Sequence, residues 1–150
     1  MKIEAVPADG YAGDVTPDEA WRVLAESPSA QLVDVRSAAE WTFVGVPDLS
    51  RVGKSAQLVE WQTYPGMQRA ADFVDAVKAG LAAAGAGPDT PVVFVCRSGA
   101  RSAAAARAMT AEGFKGAYNL AGGFEGALDA DRHRGNASGW KAAGLPWTQN

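Results

Sequence analysis

The sequence has 150 residues, of which 47% are hydrophobic and 21% charged, and this is the composition of an ordinary globular chain with room for about one domain. Its net charge of −3 argues against a nucleic-acid binder, because such proteins present a basic face to the phosphates. One cysteine and one histidine exclude an intrachain disulfide, a zinc site built from several cysteines and a metal motif with two histidines.

The N-terminal residues contain no apolar stretch with the length of a signal peptide. No apolar run in the sequence reaches the roughly 18 residues that a membrane-spanning helix needs. We therefore expect a cytoplasmic protein that does not contact a membrane. In that reducing compartment a free thiol stays available for chemistry.

Two short segments in the first third of the chain have the pattern of helix starts. In residues 16–19, Thr16 can cap a helix, Pro17 suits its first position, and Glu19 can return the second bond of a capping box. Residues 37–40 repeat the box and predict a short helix that ends near Phe43. Between these segments, the β-rich run 31–35 predicts a strand.

Strands and helices alternate through the rest of the chain. The entirely apolar run 91–95 predicts a central parallel strand that is covered on both faces, and 56–61 and 117–120 are weaker strand candidates. A helix is predicted over 68–84, since apolar residues recur there at intervals of one turn. Those residues are Phe73, Val74, Val77 and Leu81. This order indicates a parallel α/β sheet with crossover connections.

A lone cysteine follows the most apolar strand. The strand ends at Cys96, and an alanine-rich helix begins near Arg101 or Ser102. Ligands of open α/β sheets bind beyond the carboxyl ends of the strands, which is where Cys96 lies.

The loop between this strand and helix favours an anionic sulfur. A helix N-terminus presents unpaired N–H groups, and a short loop can aim further N–H groups inward as an anion nest. Gly99 permits the tight backbone, and Arg97 and Arg101 add two cations, so the loop favours the thiolate of Cys96. The ordinary role of such a cysteine is an inert buried thiol, but that role needs neither the arginines nor the glycine.

Residues 96–102, Cys-Arg-Ser-Gly-Ala-Arg-Ser, resemble the active-site loop of rhodanese-type sulfurtransferases. Residues 32–36 with Glu40-Trp41, residues 119–124 and residues 144–147 are similar to three other motifs of that family, in the same order. The chain departs from the family in residues 44–49, which lack the histidine that many members have there.

The resemblance implies a rhodanese-like three-layer α/β sandwich, with a parallel sheet of about five strands flanked by helices. It implies a single domain over 1–150, with its core in about 10–147, that uses no metal or organic cofactor. Cys96 would take a sulfane sulfur from a small anionic donor such as thiosulfate and pass it, as a persulfide, to cyanide or a thiol. The donor site would be formed by Arg97, Ser98, Gly99, Ala100, Arg101 and Ser102.

Alternatives to this interpretation remain open. Related phosphatases and arsenate reductases have five residues between the cysteine and the arginine, and this chain has four, between Cys96 and Arg101, which suits a sulfane sulfur better than a tetrahedral oxyanion. The chain could also be a non-catalytic module or a sulfur carrier that needs a protein acceptor. No nucleic acid partner is expected.

Other residues have two interpretations each. Asp34 either orients an arginine or the active loop, or forms a structural ion pair with Arg36, and both residues are assigned a supporting role. Gly122-Gly123 predicts a turn at a strand end. Arg132 and Arg134 either attract an anionic substrate or belong to a solvated loop. We expect His133, between them, to be solvated.

Overall fold

A six-stranded sheet lies at the centre of the protein in a computed structural model that describes residues 1–63 and 66–149. The strands are β1 (Val6–Ala8), β2 (Tyr11–Val15), β3 (Gln31–Asp34), β4 (Val46–Pro47), β5 (Gln57–Leu58), β6 (Gln62–Thr63), β7 (Gln68–Arg69), β8 (Val92–Val95), β9 (Ala117–Leu120) and β10 (Trp147–Thr148). The helices are α1 (Pro17–Glu26), α2 (Ala38–Val44), α3 (Phe73–Ala83), α4 (Ala100–Ala111) and α5 (Gly139–Ala142), with a 3-10 turn at Ser50–Val52.

The order of strands in the central sheet is β1-β2-β9-β8-β3-β5. The pairings from β2 to β5 are all parallel, and β1 adds an antiparallel edge strand. The predicted α/β fold with about five parallel strands is therefore confirmed. Strand β8 lies between β3 and β9, and its four residues are buried, as the apolar run predicted.

Helices cover both faces of the sheet, and the side chains of β8 alternate between two core clusters. Val92 and Phe94 pack with residues of α3 and α4, whereas Val93 and Val95 pack with residues of α1 and with Trp140 of α5. Burying an aliphatic or aromatic side chain of this kind contributes about 1.5–3 kcal/mol, so both faces hold β8 in place. The residue that follows β8 is Cys96.

The predicted helix over 68–84 is wrong at its start, because α3 begins at Phe73. Gln68 and Arg69 instead form β7, which pairs with β6 in an antiparallel hairpin. The guanidinium of Arg69 lies 4.4 Å from the ring centre of Trp61, and the N–H of Ala70 donates to the carbonyl of Trp61. These contacts hold Arg69 and Ala70 beside Trp61. The apolar face of α3 begins only at Phe73.

Most other predicted boundaries agree with the structure within one or two residues, but the strand predicted over 56–61 is reduced to the short β5. Thr16 caps α1 by accepting the N–H of Glu19, as expected. The carboxylate of Glu19 does not complete the predicted capping box. It accepts instead from the Glu4 N–H and from Arg22, because the segment before β1 lies against α1. In the described parts of the chain, no helix has the length and apolar character needed to span a membrane.

Candidate active site

The sulfur of Cys96 lies where the carboxyl end of β8 meets the N-terminus of α4. Only 1% of the residue is exposed. The N–H of Gly99, the N-cap residue of α4, donates to Sγ at 3.1 Å, and the Ser102 hydroxyl oxygen is also 3.1 Å from Sγ. Gly99 has φ +123°, a conformation that residues with a Cβ rarely adopt. The start of α4 therefore places one backbone N–H and one hydroxyl oxygen within hydrogen-bond distance of the sulfur.

The loop is attached to the turn that follows β9. The N–H of Phe124 donates to the carbonyl of Cys96 at 2.7 Å, and the N–H groups of Glu125 and Gly126 donate to the carbonyl of Arg97 at 3.0 and 3.1 Å. Gly123 has φ +66°, and a Cβ at this position would lie 2.5 Å from the Arg97 carbonyl oxygen. The predicted Gly-Gly turn thus has a specific use, since only a glycine permits this approach of the two backbones.

Asp34 and Arg36 form an ion pair at the end of β3, and both side chains are fully buried. The Arg36 Nε lies 2.9 Å from Asp34 Oδ1, and its Nη2 donates to Asp34 Oδ2 and to the Gly45 carbonyl, both at 2.7 Å. The guanidinium also stacks on Phe124, 4.2 Å from the ring centre. The structural interpretation of Asp34 therefore fits the geometry. The pair acts on the loop through Phe124, whose N–H holds the Cys96 carbonyl.

Arg101 is paired with Glu40, a partner that the sequence analysis did not assign to it. The two side chains meet in a bidentate contact of 2.6 and 2.9 Å that joins the first turns of α4 and α2. Burial acts to raise the pKa of Glu40, but the hydrogen bonds from Arg101 and Ser37 outweigh it and hold the pKa at about 2. Ser37 and Glu40 also form the predicted capping box of α2. Much of the charge of Arg101 is therefore balanced within the protein.

Arg97 lies on the open side of the loop. The side chain of Arg97 is exposed, and this side chain makes no ion pair or hydrogen bond with any residue in 1–63 or 66–149. A cavity of about 440 Å³ opens beside it, lined by Glu40, Val44, Met67, Arg97, Arg101, Glu125 and Arg134. A larger cavity of about 660 Å³ lies at β5, away from the predicted site residues. We assign more weight to the smaller one, hereafter the arginine cavity, because both loop arginines line it.

The remaining predicted site residues lie in or beside the loop. Ser98 and Ala100 are exposed members of the loop, and Ser102 is fully buried beside the sulfur. Arg134, whose role was left open, is among the residues that line the arginine cavity, and its Nη1 donates to the Gly126 carbonyl at 2.7 Å. His133 is exposed in the same loop, as expected.

Sequence reasoning missed a hydrogen-bonded chain that runs from the sulfur across β9 to β2, next to the edge strand of the sheet. Asn119 Oδ1 lies 2.5 Å from the Ser102 hydroxyl, and its amide nitrogen donates to Asp14 at 2.9 Å. The Tyr11 hydroxyl donates to the same Asp14 oxygen at 2.8 Å. Asn119 belongs to a motif noted in the sequence, but its contact with Asp14 spans 105 positions and gave no local signal.

The site contains a buried thiol, the N–H of Gly99 that donates to its sulfur, and a cavity lined by three arginines and two glutamates. The part of the chain that the structure describes has no group of three or more His, Cys, Asp or Glu side chains placed to hold a metal ion.

Comparison with known proteins identifies the fold family. A model of the rhodanese-like domain matches residues 16–130 of this chain. The chain belongs to the rhodanese-like domain family. An uncharacterised protein of Rickettsia conorii is 34% identical over 134 residues, which cover 89% of this chain and 95% of that protein. The thiosulfate sulfurtransferase GlpE of Actinobacillus succinogenes is 28% identical over 133 residues, covering 89% of this rhodanese-like chain and 87% of GlpE.

Solved structures agree with this membership. The crystal structure of Rv0390 from M. tuberculosis has a TM-score of 0.83 and 48% identity, and the match covers 93% of this chain and 99% of that one. The solution structure of the polysulfide-sulfur transferase homodimer from Wolinella succinogenes has a TM-score of 0.56 and 27% identity, covering 91% of this rhodanese-like chain and 78% of the other.

The Glu40–Arg101 pair predicts a specific pH dependence of stability. The pKa of Glu40 is lowered from 4.5 to about 2, so the pair stabilises the fold fully above pH 4.5 and is lost as the pH falls toward 2. We expect Glu40→Gln to lower the free energy of unfolding by about 1 kcal/mol at neutral pH, the upper end for partly exposed pairs. The difference from the wild type should shrink as the pH falls below 4.5.

Urea denaturation across that pH range measures this effect. Asp89→Asn, which neutralises an exposed carboxylate, is the matched control and should keep the pH dependence of the wild type. A Glu40→Gln variant whose deficit is the same at pH 7 and at pH 3 would mean that the ion pair does not produce it.

Proposed function

We propose that this protein is a sulfurtransferase that carries a sulfane sulfur on Cys96, within one rhodanese domain over residues 1–150. The observation that carries the proposal is the sulfur of the only cysteine in the chain, held at the head of α4 in a loop whose Arg97 and Arg101 line a cavity together with Arg134. A helix N-terminus and an adjacent N–H group stabilise negative charge on a bound sulfur. Membership of the rhodanese-like family and the similarity to GlpE support the same reaction class.

The proposed reaction has two half-reactions. The Cys96 thiolate attacks the outer sulfur of thiosulfate, an S–S bond forms, and the original S–S bond breaks as sulfite leaves with the electron pair. The product is a Cys96 persulfide anion in the loop. Cyanide or an acceptor thiolate then attacks the terminal sulfur, and the Cys96 thiolate leaves with the electron pair of the enzyme's S–S bond. Atoms and charge balance without a metal, an external oxidant or an organic cofactor.

Donor binding is assigned mainly to Arg97 and Arg134. Both line the cavity, and the charge of Arg101 is largely used by Glu40. Charge-assisted hydrogen bonds from a guanidinium suit the oxygens of a sulfonate-like group. Arg101 then holds α2 against the loop, while Gly99 and Ser102 contact the reacting sulfur.

The phosphatase-like alternative is less well supported. Four residues separate Cys96 from Arg101, and α4 begins directly after Gly99. This leaves a short ring of backbone around the sulfur rather than the wider ring that a tetrahedral oxyanion needs.

A single thiol also has to stay reduced to act repeatedly, which suits a reducing compartment such as the cytoplasm.

Steady-state transfer of sulfur from thiosulfate to cyanide tests the proposed enzyme. We expect Cys96→Ser to lose all measurable transfer and to remain folded, because a hydroxyl cannot accept and release a sulfane sulfur under these conditions. Circular dichroism serves as the control for folding. Transfer by a folded Cys96→Ser variant at a rate near that of the wild type would contradict the assignment of the nucleophile.

A second variant tests the donor site. We expect Arg97→Ala to raise KM for thiosulfate about tenfold, the effect of losing one charge-assisted hydrogen bond, with a smaller change in kcat. Arg51→Ala removes the same charge from an exposed position outside the cavity and should leave KM unchanged. Equal KM values for Arg97→Ala and Arg51→Ala would place the donor elsewhere.

A further inference from the structure

The hydrogen-bonded chain behind Cys96 has a direction that can be read from its chemistry. An ionised carboxylate only accepts hydrogen bonds, so the atom of Asn119 that faces Asp14 at 2.9 Å must be the amide nitrogen. The carbonyl oxygen of that amide therefore faces Ser102. At 2.5 Å from an acceptor oxygen, the Ser102 hydroxyl must donate its proton to Asn119.

This direction determines what Ser102 can offer to the sulfur. A serine hydroxyl has one proton, and the neighbours of Ser102 Oγ are Asn119 Oδ1, Cys96 Sγ at 3.1 Å and the Gly99 carbonyl at 3.3 Å. When the proton points to Asn119, the sulfur meets only the lone pairs of the hydroxyl oxygen. Lone pairs accept a bond from a thiol and repel a thiolate.

We propose that Asp14 is a positioning residue that keeps the Ser102 hydroxyl turned away from Cys96 and so restrains the reactivity of the resting thiol. The proposal deepens the proposed function, because it concerns the nucleophile assigned there. Asp14 acts through Asn119 and does not touch the sulfur. The N–H of Gly99 favours the thiolate and therefore opposes the effect of Asp14. The two contacts of the sulfur, with Gly99 N–H and with Ser102 Oγ, act in opposite directions.

The surroundings of Asp14 are consistent with a fixed acceptor at the end of the chain. Asp14 lies in β2, which pairs in parallel with β9, and the register places it opposite Asn119. The Tyr11 hydroxyl donates to the same carboxylate oxygen, and burial, together with Asp14, raises the pKa of Tyr11, which keeps the phenol a donor. Arg107 stacks over the Tyr11 ring at 5.2 Å.

The test is the reactivity of the thiol at a fixed, near-neutral pH, read as the rate of alkylation by iodoacetamide and as thiolate ultraviolet absorbance. Asp14→Asn replaces an obligatory acceptor with an amide that can also donate, which lets the Asn119 amide turn over and frees the Ser102 proton for the sulfur. Asn119→Ala removes the competing acceptor altogether. We expect alkylation about tenfold faster for Asn119→Ala, as for a gained hydrogen bond to a charged group, and several-fold faster for Asp14→Asn.

Two controls separate this effect from general disturbance. Asp9→Asn makes the same change of charge at an exposed position near the start of β2 and should react like the wild type. In a Ser102→Ala background, Asp14→Asn should have no effect, since the proposed coupling passes through the hydroxyl. The charged groups around the loop are unchanged in every variant, namely Arg97, Arg101, Glu40, Glu125 and the Asp34–Arg36 pair.

The proposal is overturned if Asp14→Asn reacts at the wild-type rate, or if it accelerates alkylation equally with and without the Ser102 hydroxyl. Should Asp14→Asn fail to fold, an unchanged rate in Asn119→Ala overturns it equally. These readouts need no sulfur donor. A wild-type protein that takes no sulfur from thiosulfate would contradict the proposed function and would leave this comparison fully decisive.

Discussion

Three backbone hydrogen bonds between the active loop and the turn after β9 hold the sulfur in position. They join the carbonyls of Cys96 and Arg97 to the N–H groups of residues 124–126. At about 0.5–1.5 kcal/mol each, the three bonds contribute roughly 1.5–4.5 kcal/mol. The other site features are arranged around this contact. The Asp34–Arg36 pair supports Phe124, and the Glu40–Arg101 pair supports the start of α4 from the other side.

Much of the fold and the position of Cys96 could be predicted from the sequence, because their causes are local. The apolar run at β8, the capping residues Thr16 and Ser37, and the glycine before α4 each act within a few residues. The cysteine at the end of a buried strand follows from the same run. The family motifs add the order in which such elements occur.

Features that depend on distant contacts could not be predicted in this way. The segment Gln68–Arg69 has a sequence compatible with a helix, but the stacking of Arg69 on Trp61 places it in a hairpin. Glu40 pairs with Arg101 across 61 positions, and Asp14 reaches Asn119 across 105. Tertiary packing decides such partners, and the local pattern around each residue does not contain them. The arginine cavity combines residues of several elements for the same reason.

The intact mass of the protein after incubation with thiosulfate tests the central claim most directly, because the chain contains only one thiol on which a persulfide can form. Our account predicts a gain of one sulfur atom that is lost on addition of cyanide, and no gain for Cys96→Ser. The sulfur should also be retained when cyanide is omitted. An unchanged mass of the wild-type protein after thiosulfate would contradict the account. A gain of one sulfur atom by the Cys96→Ser variant would contradict it as well.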